Sequence, residues 1–228
     1  MYICLAATPA AEHSVSCRQG APISLKSQRP CFDDEDDDEP KSPPPRQEDV
    51  LAERFLKTRT ILLSGEIDKE SSERFIRQLL LLESLSSDPI TVLIDSPGGD
   101  VDAGYAIFDM IRFITAPVRI VGMGLVASAA ALVLLAVPKD RRLGLPNSHY
   151  LIHQPLSGIR GVATEIEIHA PELEKTRERV NKVIADATGQ SLEQVRKDTD
   201  RDFWMNAEEA IGYGLISRVA ATRTDLGA

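Results

Sequence analysis

Ile120-Val121-Gly122-Met123-Gly124-Leu125-Val126-Ala127-Ser128-Ala129-Ala130-Ala131-Leu132-Val133-Leu134-Leu135-Ala136-Val137 is a run of 18 residues without a charge, at the lower length limit for a transmembrane helix. Ile120 to Gly124 reads as a buried strand ending in glycines. From Ala127 the small and branched apolar residues read as a buried helix starting afresh. A strand broken by two glycines spans a membrane poorly, because the freed backbone groups would meet no water. The run is therefore expected to be a strand followed by a helix inside an α/β core, with no membrane as partner.

Outward from this run the same alternation continues. Upstream, Ile61 to Ser64 begins a series of strands. Asp68 is placed to cap a helix whose Phe75, Ile76, Leu79, Leu80 and Leu82 recur at helical spacing. Ile90 to Asp95 is the next strand, followed by Ser96-Pro97-Gly98-Gly99 and a helical stripe of Ala103, Ala106, Ile107, Met110 and Ile111. Val118 to Val121 then leads into the central run. Downstream, His149 to His153 reads as a strand and Leu156 to Gly161 as a glycine-punctuated loop. A long charged helix is expected from about Thr164 to Ala187. Pro171 lies inside it, so either a helix begins near Pro171 or a longer one bends there. Short helices around Ser191–Lys197 and Asn206–Tyr213 and a strand at Leu215–Val219 complete the pattern. No repeat of solenoid period is present.

The first 50 residues have a different character. They hold 7 of the 14 prolines, all three cysteines (Cys4, Cys17 and Cys31) and seven consecutive acids from Asp33 to Glu39. Of the chain's 35 acidic and 26 basic residues, 10 and 5 lie there, so residues 51–228 carry 25 against 21 and a net of only −4 of the total −9. A proline-rich acidic stretch cannot bury a core, and the expectation is a disordered tail or propeptide over residues 1–50 and one domain over 51–228. Net acidity excludes nucleic-acid binding through overall charge. Three cysteines confined to the tail leave no disulfide framework for the domain, and the N-terminus offers no basic region before an apolar core, so a reducing cytoplasm is expected.

Three constellations can carry chemistry. Gly124-Leu-Val-Ala-Ser128 sets a serine where a strand turns into a helix, which exposes the hydroxyl and aims free helix N–H groups at whatever it attacks. The ordinary alternative is a helix cap. Ser96-Pro97-Gly98-Gly99 sits between strand and helix, where paired glycines let backbone N–H groups converge on an anion, or simply make a tight turn. Of the four histidines, His13 lies in the tail and His169 among helix charges, leaving His149 and His153 on one face of a strand. Without a third ligand at short spacing they form no metal site. His153, at the strand end, is placed for general-base work and needs an orienting acid. Asp200-Arg201-Asp202 offers two, and spacing does not choose between them.

Ser96-Pro-Gly-Gly99, Met123-Gly-Leu-Val-Ala-Ser128, Leu145-Pro-Asn-Ser148, His153-Gln-Pro155, Ala163-Thr-Glu-Ile-Glu-Ile-His169, Thr188-Gly-Gln-Ser-Leu192 and Asp198-Thr-Asp-Arg-Asp202, in this order, resemble the proteolytic subunit of the Clp protease family over about residues 59–219. The resemblance implies an α/β fold of repeated β-β-α units related to the crotonase fold, with a protruding helical handle over about residues 156–190. It implies Ser128 as nucleophile, His153 as base, Asp202 as orienting acid, Gly99 and Ala129 as oxyanion donors, and Asp200 and Arg201 in an ion-pair network at the ring contact. It further implies heptameric rings stacked as a tetradecamer, polypeptide substrates, an AAA+ unfoldase that consumes ATP in the chain's place, and a paralogous subunit as a further partner. No cofactor or metal is expected in this chain. The absence of a Gly-x-x-x-x-Gly-Lys-[Ser/Thr] sequence accords with that. Pro171 and Val162 stand where the family usually carries a charged residue and glutamine, so the handle's bend and its cross-ring contacts are expected to differ.

The leading reading is thus a subunit of an ATP-dependent serine endopeptidase. The alternative is a non-cutting or weakly active structural subunit of a mixed ring. A crotonase-like enzyme acting on acyl thioesters is a third, disfavoured by the serine, histidine and aspartate set, which thioester chemistry on that fold need not supply.

Overall fold

A computed structural model describes residues 54–156 and 162–226. The expected tail at residues 1–50, and most of the loop expected at Leu156 to Gly161, lie outside the described residues.

The described chain is an α/β structure around a seven-stranded sheet. Strands β1 (Thr60–Ile67), β2 (Ile90–Gly99), β3 (Val118–Ala127), β4 (Arg142–Gly144) and β7 (Arg218–Val219) run parallel in the order β1-β2-β3-β4-β7. β5 (His149–Ile152) pairs with β3, and β6 (Phe203–Asn206) runs antiparallel to β5. Helices α1 (Lys69–Leu85), α2 (Val101–Phe113) and α3 (Ala129–Leu134) contribute apolar faces to the main core. α3 is buried along its whole length, so the central uncharged run is a core element, as its composition predicts. A smaller apolar cluster of Val121, Leu143 and Ala220 is separate from this core.

Local chemistry explains the boundaries. Asp68 accepts from the Ser71 amide at 2.7 Å while Ser71 Oγ accepts from the Asp68 amide at 2.9 Å, a reciprocal cap that starts α1. Asp100 caps α2 singly, its carboxylate accepting the Ala103 amide at 2.7 Å. Phe75, Leu79 and Leu82 form the buried stripe of α1. Leu80 and Ala106, expected in apolar stripes, are exposed, because both lie a step off the faces that meet the sheet.

Three elements are longer or shorter than expected. β2 runs on through Ser96-Pro97-Gly98-Gly99, so this motif is the end of a strand. β3 likewise continues through its glycines to Ala127. It pairs with β4 over Ile120–Gly122 and then changes partner to β5 over Leu125–Ala127. The glycines mark that exchange. A Cβ on Gly122 would come within 2.7 Å of the Tyr150 hydroxyl, and one on Gly144 would collide with the same group. Tyr150 is fully buried and its hydroxyl shares a hydrogen bond of 3.0 Å with Ser148 Oγ. The expected last strand shrinks to Arg218–Val219, while Leu215 and Ile216 enter the core instead.

α4 (Ala163–Thr188) is one 26-residue helix that passes through Pro171. Every residue from Val162 to Glu172 is exposed, so the carbonyl of Glu167 that loses its intrahelical donor can turn to water. The other half of α4 is anchored, with Ile184 and Ala185 in the core. α5 (Leu192–Asp198) and α6 (Ala207–Tyr213) match the two short helices expected.

Candidate active site

Ser128 is delivered by the last residues of β3. Its amide donates to Leu151 O on β5 at 2.9 Å, and its carbonyl accepts from the Leu132 amide at 3.2 Å to open α3. The backbone stands at φ 56° and ψ −120°, the geometry that opens a type II′ turn and normally belongs to glycine. A non-glycine residue in so sparsely populated a region costs on the order of 1–3 kcal/mol, and such residues cluster at functional sites. The hydroxyl makes no capping hydrogen bond, so the strain does not serve helix initiation by the side chain.

The strand end Ser96–Gly99 lies directly against this turn. A Cβ on Gly98 would stand 2.6 Å from Ala127 O, 2.7 Å from Ser128 Cβ and 2.9 Å from the Ala129 nitrogen. Gly98 therefore has no side chain because Ser128 occupies the space. The Gly98 amide donates to the buried Ser96 Oγ at 3.1 Å. A Cβ on Gly99 would collide with the Ile67 carbonyl of β1. On the far side Gly104 of α2 lets α3 approach, since a Cβ there would sit 3.2 Å from Ala129 Cβ. Ala129 opens α3, where the amide has no intrahelical acceptor.

His153 follows β5, and the antiparallel register of Ile152 with Phe203 brings it beside Asp202. Its Nδ1 lies 3.2 Å from Asp202 Oδ1. The two acids left open by spacing are thus separated by their contacts. Asp202 faces the imidazole, whereas Asp200 Oδ1 receives Arg177 of α4 at 3.3 Å and the Asp200 carbonyl receives Gln154 Nε2 at 2.7 Å. Thr199 Oγ1 donates to Asn181 Oδ1 of α4 at 2.8 Å, and the Thr199 carbonyl accepts from the Gln154 amide at 2.6 Å. The buried half of α4 and the residue after His153 thereby hold the loop that carries Asp202. Arg201 is exposed and has no ion-pair partner among the described residues. His149 is exposed at the other end of β5, opposite Asn206. Among the described residues no three His, Cys, Asp or Glu side chains gather as a metal site would require.

Ser128, Ala129 and His153 line one narrow cleft whose remaining wall includes Leu132, Ile152 and Ile184. The side chain of His153 is 16% exposed and that of Asp202 61%. Among the described residues, no hydrogen bond joins Ser128 Oγ to the imidazole. Such bonds are often long in unliganded enzymes and tighten around substrate. Chemically the arrangement offers a hydroxyl, an imidazole with a carboxylate on its far nitrogen, free amides at a helix start, and an apolar wall.

In the sequence Ser96 and Gln154 stand only as parts of motifs, and no local pattern marks Asn181 or Arg177. The polar roles of Asn181 and Arg177 depend on a helix packing against a loop about twenty residues away, which no local pattern signals.

Residues 45–223 match the family model described as Clp protease. Proteolytic subunit 2 of the ATP-dependent Clp protease of Treponema denticola is 66% identical over 180 residues, covering 78% of this chain and 90% of that protein. The subunit of the same name from Borreliella burgdorferi is 52% identical over 172 residues, covering 75% and 87%. Among solved structures, a ClpP1 point mutant from Listeria monocytogenes superposes with a TM-score of 0.73 at 50% identity, covering 77% of this chain and 99% of that one.

Proposed function

Because the chain belongs to the Clp protease family, whose proteolytic subunits are serine endopeptidases, we propose that Ser128, His153 and Asp202 act together to hydrolyse peptide bonds. The observation that supports this most is the pairing of His153 Nδ1 with Asp202 at 3.2 Å beside a strained, uncapped Ser128 in the same cleft.

His153 Nε2 takes the proton from Ser128 Oγ as the oxygen attacks the scissile carbonyl carbon. Asp202 accepts the Nδ1 proton in a hydrogen bond, which fixes the tautomer and stabilises the imidazolium without itself becoming protonated. The amides of Gly99 and Ala129 receive the oxyanion of the tetrahedral intermediate. One such donor lowers the barrier by roughly 2.7–4 kcal/mol. The imidazolium then protonates the leaving amine as the C–N bond breaks, leaving an acyl-enzyme on Ser128. Water, deprotonated by His153, attacks the ester. Collapse of the second intermediate frees the carboxylic acid and returns the proton to Oγ. The apolar wall of the cleft favours a peptide with an apolar side chain beside the cut.

The assembly completes the reading. The subunit forms heptameric rings stacked as a tetradecamer, alone or with a paralogous subunit, in the cytoplasm, and an AAA+ unfoldase supplies unfolded polypeptide with ATP consumed in that partner. No helix of the described residues is long and apolar enough to cross a membrane. Residues 51–228 form the protease domain, with residues 1–50 as its tail or propeptide. Asp200 and Arg201, beside Asp202 in sequence, couple ring contact to its alignment.

Hydrolysis of a fluorogenic peptide with leucine before the cut tests the triad. Ser128→Ala and His153→Ala are expected to abolish turnover, and Asp202→Asn to lower kcat by about 10⁴-fold, with assembly by sedimentation unchanged. Assembly of the native chain without hydrolysis of peptide, with or without an unfoldase, would instead establish the structural-subunit reading.

A further inference from the structure

The parallel register of β2 and β3 breaks in one place. Ile94 is opposite Gly122, but the next pair is Ser96 with Val126. A single residue of β2, Asp95, therefore faces three of β3: Met123, Gly124 and Leu125. The bulge reaches positive φ at Gly124, at +53°. A Cβ on Gly124 would stand 2.6 Å from Asp95 Oδ1 and 2.9 Å from its Cγ, so the carboxylate fills the place of the missing side chain. The same Oδ1 accepts the Leu125 amide at 3.0 Å. Asp95 and Gly124 are a fitted pair that pins the bulge.

The position of the bulge matters because of what lies beyond it. Before it, β3 is bonded to β4, and after it to β5, with Leu125, Val126 and Ala127 opposite His149, Tyr150 and Leu151. Ser128 and His153 lie just beyond the ends of these two paired segments. The bulge thus sets how far β3 advances along β5. A shift of one residue would carry the hydroxyl about 3.3 Å along the strand and turn it to the other face. A displacement of only about 1 Å can lower turnover by roughly 100-fold.

We infer that Asp95 is a positioning residue of the peptidase: by holding the Leu125 amide it fixes the bulge that sets Ser128 in register with His153. The inference rests on the triad reading. It needs an acceptor oxygen at this point of β2, and not a negative charge.

The test compares Asp95→Asn, which keeps an acceptor oxygen in place, with Asp95→Ala, which has none. Asp95→Ser is read beside them, with a side chain too short to reach the amide. Each assembled protein is assayed for peptide kcat and KM, for the rate of labelling by a fluorophosphonate, and for amide exchange at residues 123–127. Asp95→Ala and Asp95→Ser are expected to lose about 10- to 100-fold in kcat and in labelling rate. KM should stay within about threefold and exchange at the bulge should accelerate, while Asp95→Asn recovers most of the loss. The inference is overturned if Asp95→Ala and Asp95→Ser keep kcat within about twofold of the parent, or if Asp95→Asn falls as far as they do. A parent protein that resists the label would overturn the assignment of Ser128 itself, and this inference with it.

Discussion

Replacing Gly98 by alanine tests the packing beneath Ser128. The residue stands at φ +91°, and the added methyl would lie 2.6 Å from Ala127 O, 2.7 Å from Ser128 Cβ and 2.9 Å from the Ala129 nitrogen. A positive φ costs an alanine about 1–2 kcal/mol, and overpacking of a rigid contact adds about 1–3 kcal/mol. The expected loss is roughly 2–5 kcal/mol in urea unfolding followed through Trp204, the chain's one tryptophan. All three obstructing atoms belong to the turn that presents Ser128, so the relaxation must displace the hydroxyl, and kcat should fall by about 100-fold. Gly189→Ala is the control. It too stands at positive φ, +82°, but nothing lies within 4 Å of its Cβ position. It should cost only the conformational part, about 1–2 kcal/mol, and leave kcat unchanged. Equal stability losses in the two variants, with full turnover in Gly98→Ala, would refute the claim that Gly98 exists to make room for Ser128.

Ser128→Gly should stabilise the protein by about 1 kcal/mol in the same urea assay while abolishing hydrolysis, because glycine tolerates φ 56° and no capping bond is lost. A destabilised variant would contradict the strain. Glu83 of α1 accepts from the Thr115 amide and hydroxyl, and these bonds hold its carboxyl below the usual carboxylate range. With a lowered folded pKa, the stability it contributes is present above its ordinary value of 4.5 and is lost as pH falls through the folded value. The gap in urea midpoint between the parent and Glu83→Gln should therefore close on acidification, and a gap independent of pH would refute the assignment. Tyr150→Phe removes the hydroxyl seated against Gly122 and Gly144 and its bond to Ser148. About 1 kcal/mol should be lost, and no loss in the urea midpoint would show that the partner exchange of β3 does not need it.

The sequence carried the alternation of apolar strands and amphipathic helices plainly, since each of Ile61, Ile94, Ile120 and Leu132 sits in a pattern of its own period and each is buried. The cap at Asp68 was equally legible, because it acts within three residues of itself. What local pattern hid was long-range pairing. β4 and β6, of three and four residues, are defined by the partners they find across the chain. The glycines at 122 and 124 looked like the end of a strand, when they mark where a continuous strand changes neighbour. At the site, Ser128 and His153 stood out by position. The choice of Asp202 over Asp200 rested on resemblance, because it depends on the β5–β6 register, and the carboxylate at 95 gave no signal apart from its place before Ser96-Pro97-Gly98-Gly99.

The most direct measurement of the central claim is the intact mass of the purified protein before and after a fluorophosphonate, with Ser128→Ala in parallel. One adduct per chain is expected on the native protein and none on the variant. An adduct that persists in Ser128→Ala, or a native chain that takes up none in the presence of its assembled ring, would contradict Ser128 as the nucleophile.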